Sequence, residues 1–416
     1  SLLHVGGIVF AGEDEKFYNL LKLIKEEISK RKKLFSDFGG DYFNYIQLNK
    51  EPIPIKVMII NNYDSVYENY PELYEELPEL VRDSERYGLV FIFTCNAINS
   101  IPSKISGNCK NSYAFKLKDA SDYLTVFGVR TKIVPRDIKG RHEFQVCRIK
   151  ESDQEANDYL LEFVKQRNLN TKNHAIKIPV LPSIVRLQDI KDSIKDIHQI
   201  PIGISKKELD VVCVDYFMNL GNIVTSNKLS NTEKFVRSLL YLFRLMPNTN
   251  IIVLDVNHFL KLNKMEYPNY YTSDMDTVLN QLIEYVNKLK EIESQNKGFV
   301  LVYGINKLID KLEDKKKFEE FIKVIKSYEN ITVILVDDAS KIKSYSFESW
   351  FTSIFSTSEG IWIGRGLSDQ NLLRLTTISK EMTADYKNDM GFYVSENVGT
   401  LCKFIDFYSK ENEDAE

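Results

Sequence analysis

The chain has 416 residues, with 55 Lys plus Arg against 59 Asp plus Glu and a formal net charge of -4. That length exceeds one ordinary domain and predicts two or three, while the mild acidity argues against a chain-wide grip on nucleic acid, which needs a basic face or stripe. Hydrophobic residues at 43%, aromatics at 12%, only 11 Pro and 18 Gly, and no apolar run near the ~18 residues of a membrane span exclude disorder, collagen-like repeats and a spanning helix in the sequence given. Nothing at Ser1–Phe10 reads as a signal peptide, and the chain as given is expected to be soluble.

The apolar run Leu2–Phe10 ends in a turn at Gly12-Glu13-Asp14. Phe17, Leu20, Leu21, Ile24 and Ile28 then repeat at helical spacing. Lys30–Lys33 is a basic run suited to a helix C-terminus and to a solvated face. Ile55–Ile60 reads as a buried strand, Tyr70–Tyr87 as an acidic helix, and Leu89–Thr94 as the next strand. Ser112–Leu117 and Glu143–Ile149 read as further short strands. Residues 151–205 change character, with one helix and Pro179, Pro182 and Pro201, and are expected to connect two domains.

A second α/β pattern begins near Leu209. Strands are predicted at Val211–Val214, Asn222–Thr225, Ile251–Asp255, Gly298–Tyr303, Ile331–Val336, Gly360–Gly364, Leu372–Ile378 and Phe392–Val394. Helices are predicted at Asn231–Leu245, Ser273–Ile292 and Phe318–Tyr328, and Glu411–Glu416 as an acidic tail. Strands alternating with helices imply α/β domains with mainly parallel sheets. The order strand, acidic helix, strand recurs at Ile55–Thr94 and Phe299–Asp337, a weak sign of internal duplication.

The five cysteines, Cys95, Cys109, Cys147, Cys213 and Cys402, are scattered and never spaced C-x-x-C. Neither a disulfide framework nor a zinc site is indicated, and a reducing, cytosolic compartment is expected. Cys95 and Cys213 lie in apolar runs and read as small core residues. The five histidines show no ligand spacing.

A doubly wound pattern calls for a phosphate loop, G-x-x-x-x-G-K-[ST], between a strand and a helix. The right context occurs at Thr225–Thr232, yet Thr225 and Ser230 stand in the glycine positions and Asn231 in the lysine position. Only Thr232 keeps its type. Glycine permits close backbone approach to phosphate, and lysine supplies the charge that holds it. Ser230 to Glu233 instead fits the capping box S-x-x-E, so a self-capped loop outweighs productive ATP binding. Ser226 lies inside the loop, and Lys228 keeps weak anion binding open. Of the acidic strand ends, Asp255 and Asp337-Asp338 are candidate carboxylates, although such residues are most often turn formers or caps.

Several stretches resemble FtsK/SpoIIIE-type ATPase domains, and within that family the C-terminal region of the EssC/EccC motors of type VII secretion systems. They are EEISKRKKLFSDFGGDYFNY (26–45), IKVMIINNYDSV (55–66), LVRDSERYGLVFIFTCNAINSI (80–101), ISGNCKNSYAFKLKDASDYLTVFG (105–128) and SWFTSIFSTSEGIWIGRGLSDQ (349–370). The resemblance covers nearly the whole chain. It implies tandem RecA-like P-loop NTPase domains, mainly parallel sheets with helices on both faces. Residues 1–150 would be such a domain lacking its N-terminal part, Walker A included, and residues 206–416 a complete, degenerate one.

In the family these domains use ATP and magnesium. The resemblance places Asn61-Asn62 and Tyr303-Gly304 at Walker B-like positions, where a magnesium-binding carboxylate would be expected. Amides take no proton near neutral pH, so Asn61 and Asn62 cannot serve as a base. No cofactor is therefore firmly expected here. Arg82 and Arg86 fall in the helix where FtsK-like rings carry inter-subunit contacts. The resemblance further implies the cytoplasmic portion of a cell-membrane protein, assembled as a hexameric ring with sibling subunits and upstream ATPase and membrane domains. Its partners would be WXG100-type substrates or effectors, its role substrate recognition and regulation without hydrolysis. The alternatives are a divergent but active ATPase using Thr232, Lys228 and Asp255, and an FtsK-like DNA translocase, against which the net charge of -4 speaks.

Overall fold

β-branched runs punctuated by glycine, alternating with amphipathic repeats, give the α/β architecture of a computed structural model that describes residues 2–49, 53–71, 73–97, 99–115, 117, 120–127, 148–172, 174–292 and 295–409. The chain divides into two units, Ser1–Val180 and Leu181–Glu416.

In the first unit β1 (Lys56–Ile60) and β2 (Leu89–Phe93) are parallel, with Val57 beside Val90 and Ile59 beside Ile92. Met58 and Phe91 face a core of Phe17, Leu21, Ile24, Phe35, Tyr45 and Leu80. Val57, Ile59, Val90 and Ile92 form the opposite face and are exposed, Ile59 by 67%. The basic run Lys30–Lys33 is not uniformly solvated. Arg31 is 2% exposed, on the helix Asp14–Phe35. Its Nε donates to Glu27 at 2.6 Å, its Nη1 to the Tyr87 carbonyl at 2.9 Å and its Nη2 to the Pro54 carbonyl at 2.8 Å. One guanidinium thus ties the helix to the approaches of both strands.

The second unit holds a ten-stranded sheet. Its strands are β3 (Ile200–Ser205), β4 (Val211–Val214), β5 (Gly221–Ser226), β6 (Thr249–Leu254), β7 (Tyr270–Tyr271), β8 (Lys297–Tyr303), β9 (Ile331–Asp338), β10 (Gly360–Ile363), β11 (Met390–Ser395) and β12 (Val398–Phe404). The order is β4-β3-β12-β11-β10-β5-β9-β8-β6-β7. From β10 to β7 the neighbours are parallel; from β4 to β10 they are antiparallel. Strand alternation sends Phe299, Leu301 and Val336 to one face, against Phe235, Leu239 and Phe243 of the helix Glu233–Leu245. Val300, Val302 and Leu335 meet the other face, against the helices Met275–Glu291 and Lys316–Lys326. Helices on both faces of a parallel sheet are the RecA-like arrangement predicted.

Four details differ from the sequence reading. Leu181–Ser205 is not connection alone: Ile200 and Ile202 are fully buried and β3 is a strand of the large sheet. Leu372–Ile378 is not a strand, because the Gln370 side chain takes its backbone bonds. Gln370 Oε1 accepts the N–H groups of Leu372 and Leu373 at 2.7 Å each, and Nε2 donates to the Leu373 carbonyl at 2.8 Å. The sheet continues through β12 instead, whose pattern is interrupted by Gly399 and Lys403. Ser112–Phe115 is irregular and leaves Tyr113 and Phe115 exposed. Cys95 is exposed and Cys213 half-buried, whereas Cys402 is buried. Most of Glu143–Ile149, Cys147 and Glu411–Glu416 lie outside the described residues.

Candidate functional site

β5 lies between β10 and β9 in the parallel half of the sheet, so its carboxyl end opens where ligands bind in α/β proteins. The loop that leaves it is held by its own neighbours. Thr225 is fully buried and its Oγ1 donates to the Asp337 carbonyl at 2.8 Å. Asn231 Nδ2 donates to Ser226 Oγ at 3.0 Å, and Asn231 Oδ1 accepts from Asn388 Nδ2 at 3.1 Å. The Leu229 N–H donates to Asp338 Oδ1, whose other oxygen is 2.6 Å from Lys341 Nζ. Ser230 and Lys228 are exposed, and Lys228 forms no ion pair among the described residues. The predicted capping box is absent: Leu229–Thr232 is a 3-10 turn, Thr232 at the helix N-cap makes no side-chain cap bond, and its Oγ1 turns back to the Leu229 carbonyl at 2.8 Å.

Tyr303 closes this loop from below. It ends β8, is 2% exposed, and its hydroxyl donates to the Leu229 carbonyl at 3.0 Å. Thr232 Oγ1 lies 3.4 Å away. Burial pushes the Tyr303 phenol well above its ordinary range; the Thr232 hydroxyl opposes this, and the charges of Glu233, Asp255 and Asp337 add to it. Gly304 follows with φ 82° and caps the helix Ile305–Lys311.

Asp337 and Asp338 end the strand adjacent to β5. Asp337 Oδ2 accepts the Asn306 N–H at 3.0 Å and Oδ1 the Asp338 N–H at 2.8 Å. Burial nevertheless raises its pKa. Asp255 stands at the end of β6, on the third strand from β5. It is fully buried, and its carboxylate accepts the N–H groups of Phe259 at 3.1 Å and Leu260 at 2.8 Å and the Tyr270 hydroxyl at 2.9 Å. It is a turn former here.

In the first unit Asn61 and Asn62 follow β1. Asn62, at φ 56°, caps the helix Tyr63–Asn69 as Gly304 caps its own. The Asn62 N–H donates to Thr94 Oγ1 at 2.8 Å, and that hydroxyl donates to Asn61 Oδ1 at 2.7 Å. Asn62 and Gly304, each following a parallel strand, therefore share one left-handed backbone geometry. Arg82 is exposed and paired with Asp83 at 2.8 Å, while Arg86 Nε donates to the Gly40 carbonyl at 3.0 Å.

These residues do not fit a magnesium nucleotide. The loop's lysine position is an amide already bonded on both sides, and the Thr232 hydroxyl is directed at Leu229. A buried phenol, Tyr303, ends β8 and offers no carboxylate to a metal there. Sequence reasoning located this loop but missed Lys341 and Asn388. Lys341 could have been found three residues after Asp338; Asn388 comes from a distant loop with no local signal.

No family model matches the chain. It is 25% identical over 298 residues to the type VII secretion system protein EssC of Staphylococcus aureus (strain MRSA252), covering 66% of this chain and 20% of that protein. The chain thus spans a fifth of that relative's length. In structure it is similar to EssC ATPases 2 and 3 from Geobacillus thermodenitrificans, with a TM-score of 0.80 at 18% identity, over 98% of this chain and 82% of that one. It is also similar to EccC ATPases 2 and 3 of Thermomonospora curvata in complex with a signal sequence peptide, with a TM-score of 0.52 at 14% identity, over 98% and 80% of the two chains. The resemblance to the C-terminal region of the EssC/EccC motors and the tandem RecA-like fold both hold.

Proposed function

We propose that the chain is the cytoplasmic, ATPase-like end of a type VII secretion motor that recognises substrates and regulates export without hydrolysing ATP. The observation that carries this reading is the sealing of the loop at Leu229 by Thr232, Tyr303 and Asp338. The signal peptide held by the related EccC domains supports a recognition role. WXG100-type substrates or effectors are the proposed cargo, and sibling subunits with upstream ATPase and membrane domains complete a ring. The exposed apolar face of β1 and β2 supports reading residues 1–150 as the latter part of a domain, since parallel sheets are covered on both faces. Arg82 would then contact a neighbouring subunit.

A divergent ATPase is the second reading, favoured by exposed Lys228 and by Asp337-Asp338 beside the loop. Thermal melting with and without saturating Mg-ATP separates the two, because a ligand of the native state must raise the melting temperature. No shift is expected; a clear rise would overturn the proposal. Calorimetry against cognate WXG100-type proteins tests recognition, and absence of heat across all of them would remove it.

A further inference from the structure

The helix Glu233–Leu245 buries Phe235, Leu239 and Phe243 and turns Arg237, Tyr241 and Arg244 outward. Arg237 and Arg244 are two helical turns apart on one side, about 10 Å along the axis. Each guanidinium lies over a ring, Arg237 at 4.6 Å from the centroid of Tyr408 and Arg244 at 5.1 Å from that of Tyr267. Between them Tyr241 packs edge-on against Phe407 at 5.6 Å. Phe407 and Tyr408 are consecutive in the chain, so Arg237 and Tyr241 with their ring partners form one patch on the helix face that also carries the Arg244–Tyr267 pair.

A guanidinium stacked on a ring keeps its N–H edge for a carboxylate. Arg244 gives Nη1 to Glu266 at 3.0 Å. Among the described residues Arg237 has one ion pair, of 3.6 Å with Glu233, and its buried Nε has no hydrogen-bond partner. Beside the patch a loop carries exposed Lys261 and Lys264, neither ion-paired among the described residues, and Met265, 93% exposed. The nearby Asp406 is 6% exposed and bonded to the N–H groups of Tyr408 and Ser409. Among the described residues positive charge is therefore in surplus over an aromatic and thioether ground, the composition of binding hot spots.

We infer that this patch docks an acidic amphipathic helix of another polypeptide. Two carboxylates about 10 Å apart, at positions i and i+7, meet Arg237 and Arg244, and an apolar side chain between them covers Tyr241. The surface gives a place to the recognition role proposed above and rests on that reading only for its setting. The loop at Leu229 can stay closed to nucleotide while this inference fails.

The test uses the full chain and a labelled synthetic helix with Glu at i and i+7 and Leu at i+3 and i+4, read by fluorescence anisotropy. Binding is expected, with at least a tenfold loss for Arg237→Ala/Arg244→Ala and for Lys261→Ser/Lys264→Ser, and none for a control peptide with Lys in place of both Glu. The lysine pair is exposed, so that variant keeps the test sound if the arginine variant misfolds. Failure of the acidic peptide to bind the wild-type chain would overturn the inference. So would binding of both variants within twofold of wild type, or equal displacement by a single-stranded DNA oligonucleotide.

Discussion

The hydroxyls of Thr232 and Tyr303 lie 3.4 Å apart and both donate to one carbonyl, that of Leu229. A P-loop ATPase sets a loop hydroxyl and a strand-end carboxylate on a shared magnesium ion. In this chain a loop hydroxyl and a strand-end phenol meet instead on the protein's own backbone and brace the loop from within.

That brace predicts coupling. Tyr303→Phe and Thr232→Val each leave the Leu229 carbonyl one donor and should cost about 1 kcal/mol apiece. The double variant leaves no side-chain donor and should cost more than the sum, as neighbours sharing a partner do. Urea unfolding of the four proteins in a double-mutant cycle measures the difference. Strict additivity would mean that the hydroxyls act independently.

Asp337 gives a pH prediction. Its burial raises its pKa, while the N–H groups of Asn306 and Asp338 and the charge of Lys341 pull it down. A native carboxyl above its unfolded value binds its proton more tightly when folded. Its stabilising contribution is complete at acid pH and lost as pH rises through the native value. Relative to Asp337→Asn, which does not titrate there, wild-type stability should fall as pH rises out of the ordinary carboxylate range and through the raised native value. Denaturant unfolding across that range checks the slope, and a rise would contradict the assigned direction.

The fold was legible where period and composition agreed. β8 and β9 carry the continuous apolar runs Phe299–Tyr303 and Val333–Val336, and the helix Glu233–Leu245 repeats its core residues at helical spacing. Legibility failed where a side chain replaced the backbone's usual partner. Gln370 satisfies Leu372 and Leu373 and so cancels a strand that their composition favours. At the site, the loop could be found from its context, and the departures at Asn231 and Tyr303 were visible as residue types. Their mutual bonding was not, because Asn388 and Asp338 reach the loop from other parts of the chain.

Arg31 shows the same limit within one basic run. Lys30, Lys32 and Lys33 are exposed, yet Arg31 is buried and reaches backbone carbonyls at the entry to each strand of the pair. Arg31→Ala leaves the carbonyls of Pro54 and Tyr87 without this donor, while Glu27 keeps Lys56 at 3.0 Å, and should destabilise the first unit by about 2–4 kcal/mol. Arg31→Lys should recover little, because one ammonium cannot span the fork. Lys32→Ala, one residue on, should change stability by less than about 0.5 kcal/mol. Chemical denaturation of the three variants ranks them, and equal effects at positions 31 and 32 would remove the anchoring role.

Gly366 connects the loop to the motif after β10. It sits at φ 86°, and a Cβ added there would stand 2.6 Å from Asn227 Nδ2, whose amide donates to the Arg365 carbonyl at 3.1 Å. Gly366→Ala therefore carries two separable costs. The left-handed backbone alone costs an L-residue about 1–2 kcal/mol. Displacing Asn227 adds the loss of its hydrogen bond, about 1 kcal/mol. Asn227→Ala by itself should show only the second cost. In the Gly366→Ala/Asn227→Ala pair the clash is gone, so the double variant should be less destabilised than the two single variants summed. The shortfall, read from urea unfolding, measures how firmly Asn227 joins the loop after β5 to the turn after β10. An additive pair would mean that the amide moves aside freely and that only the backbone conformation holds Gly366 in place.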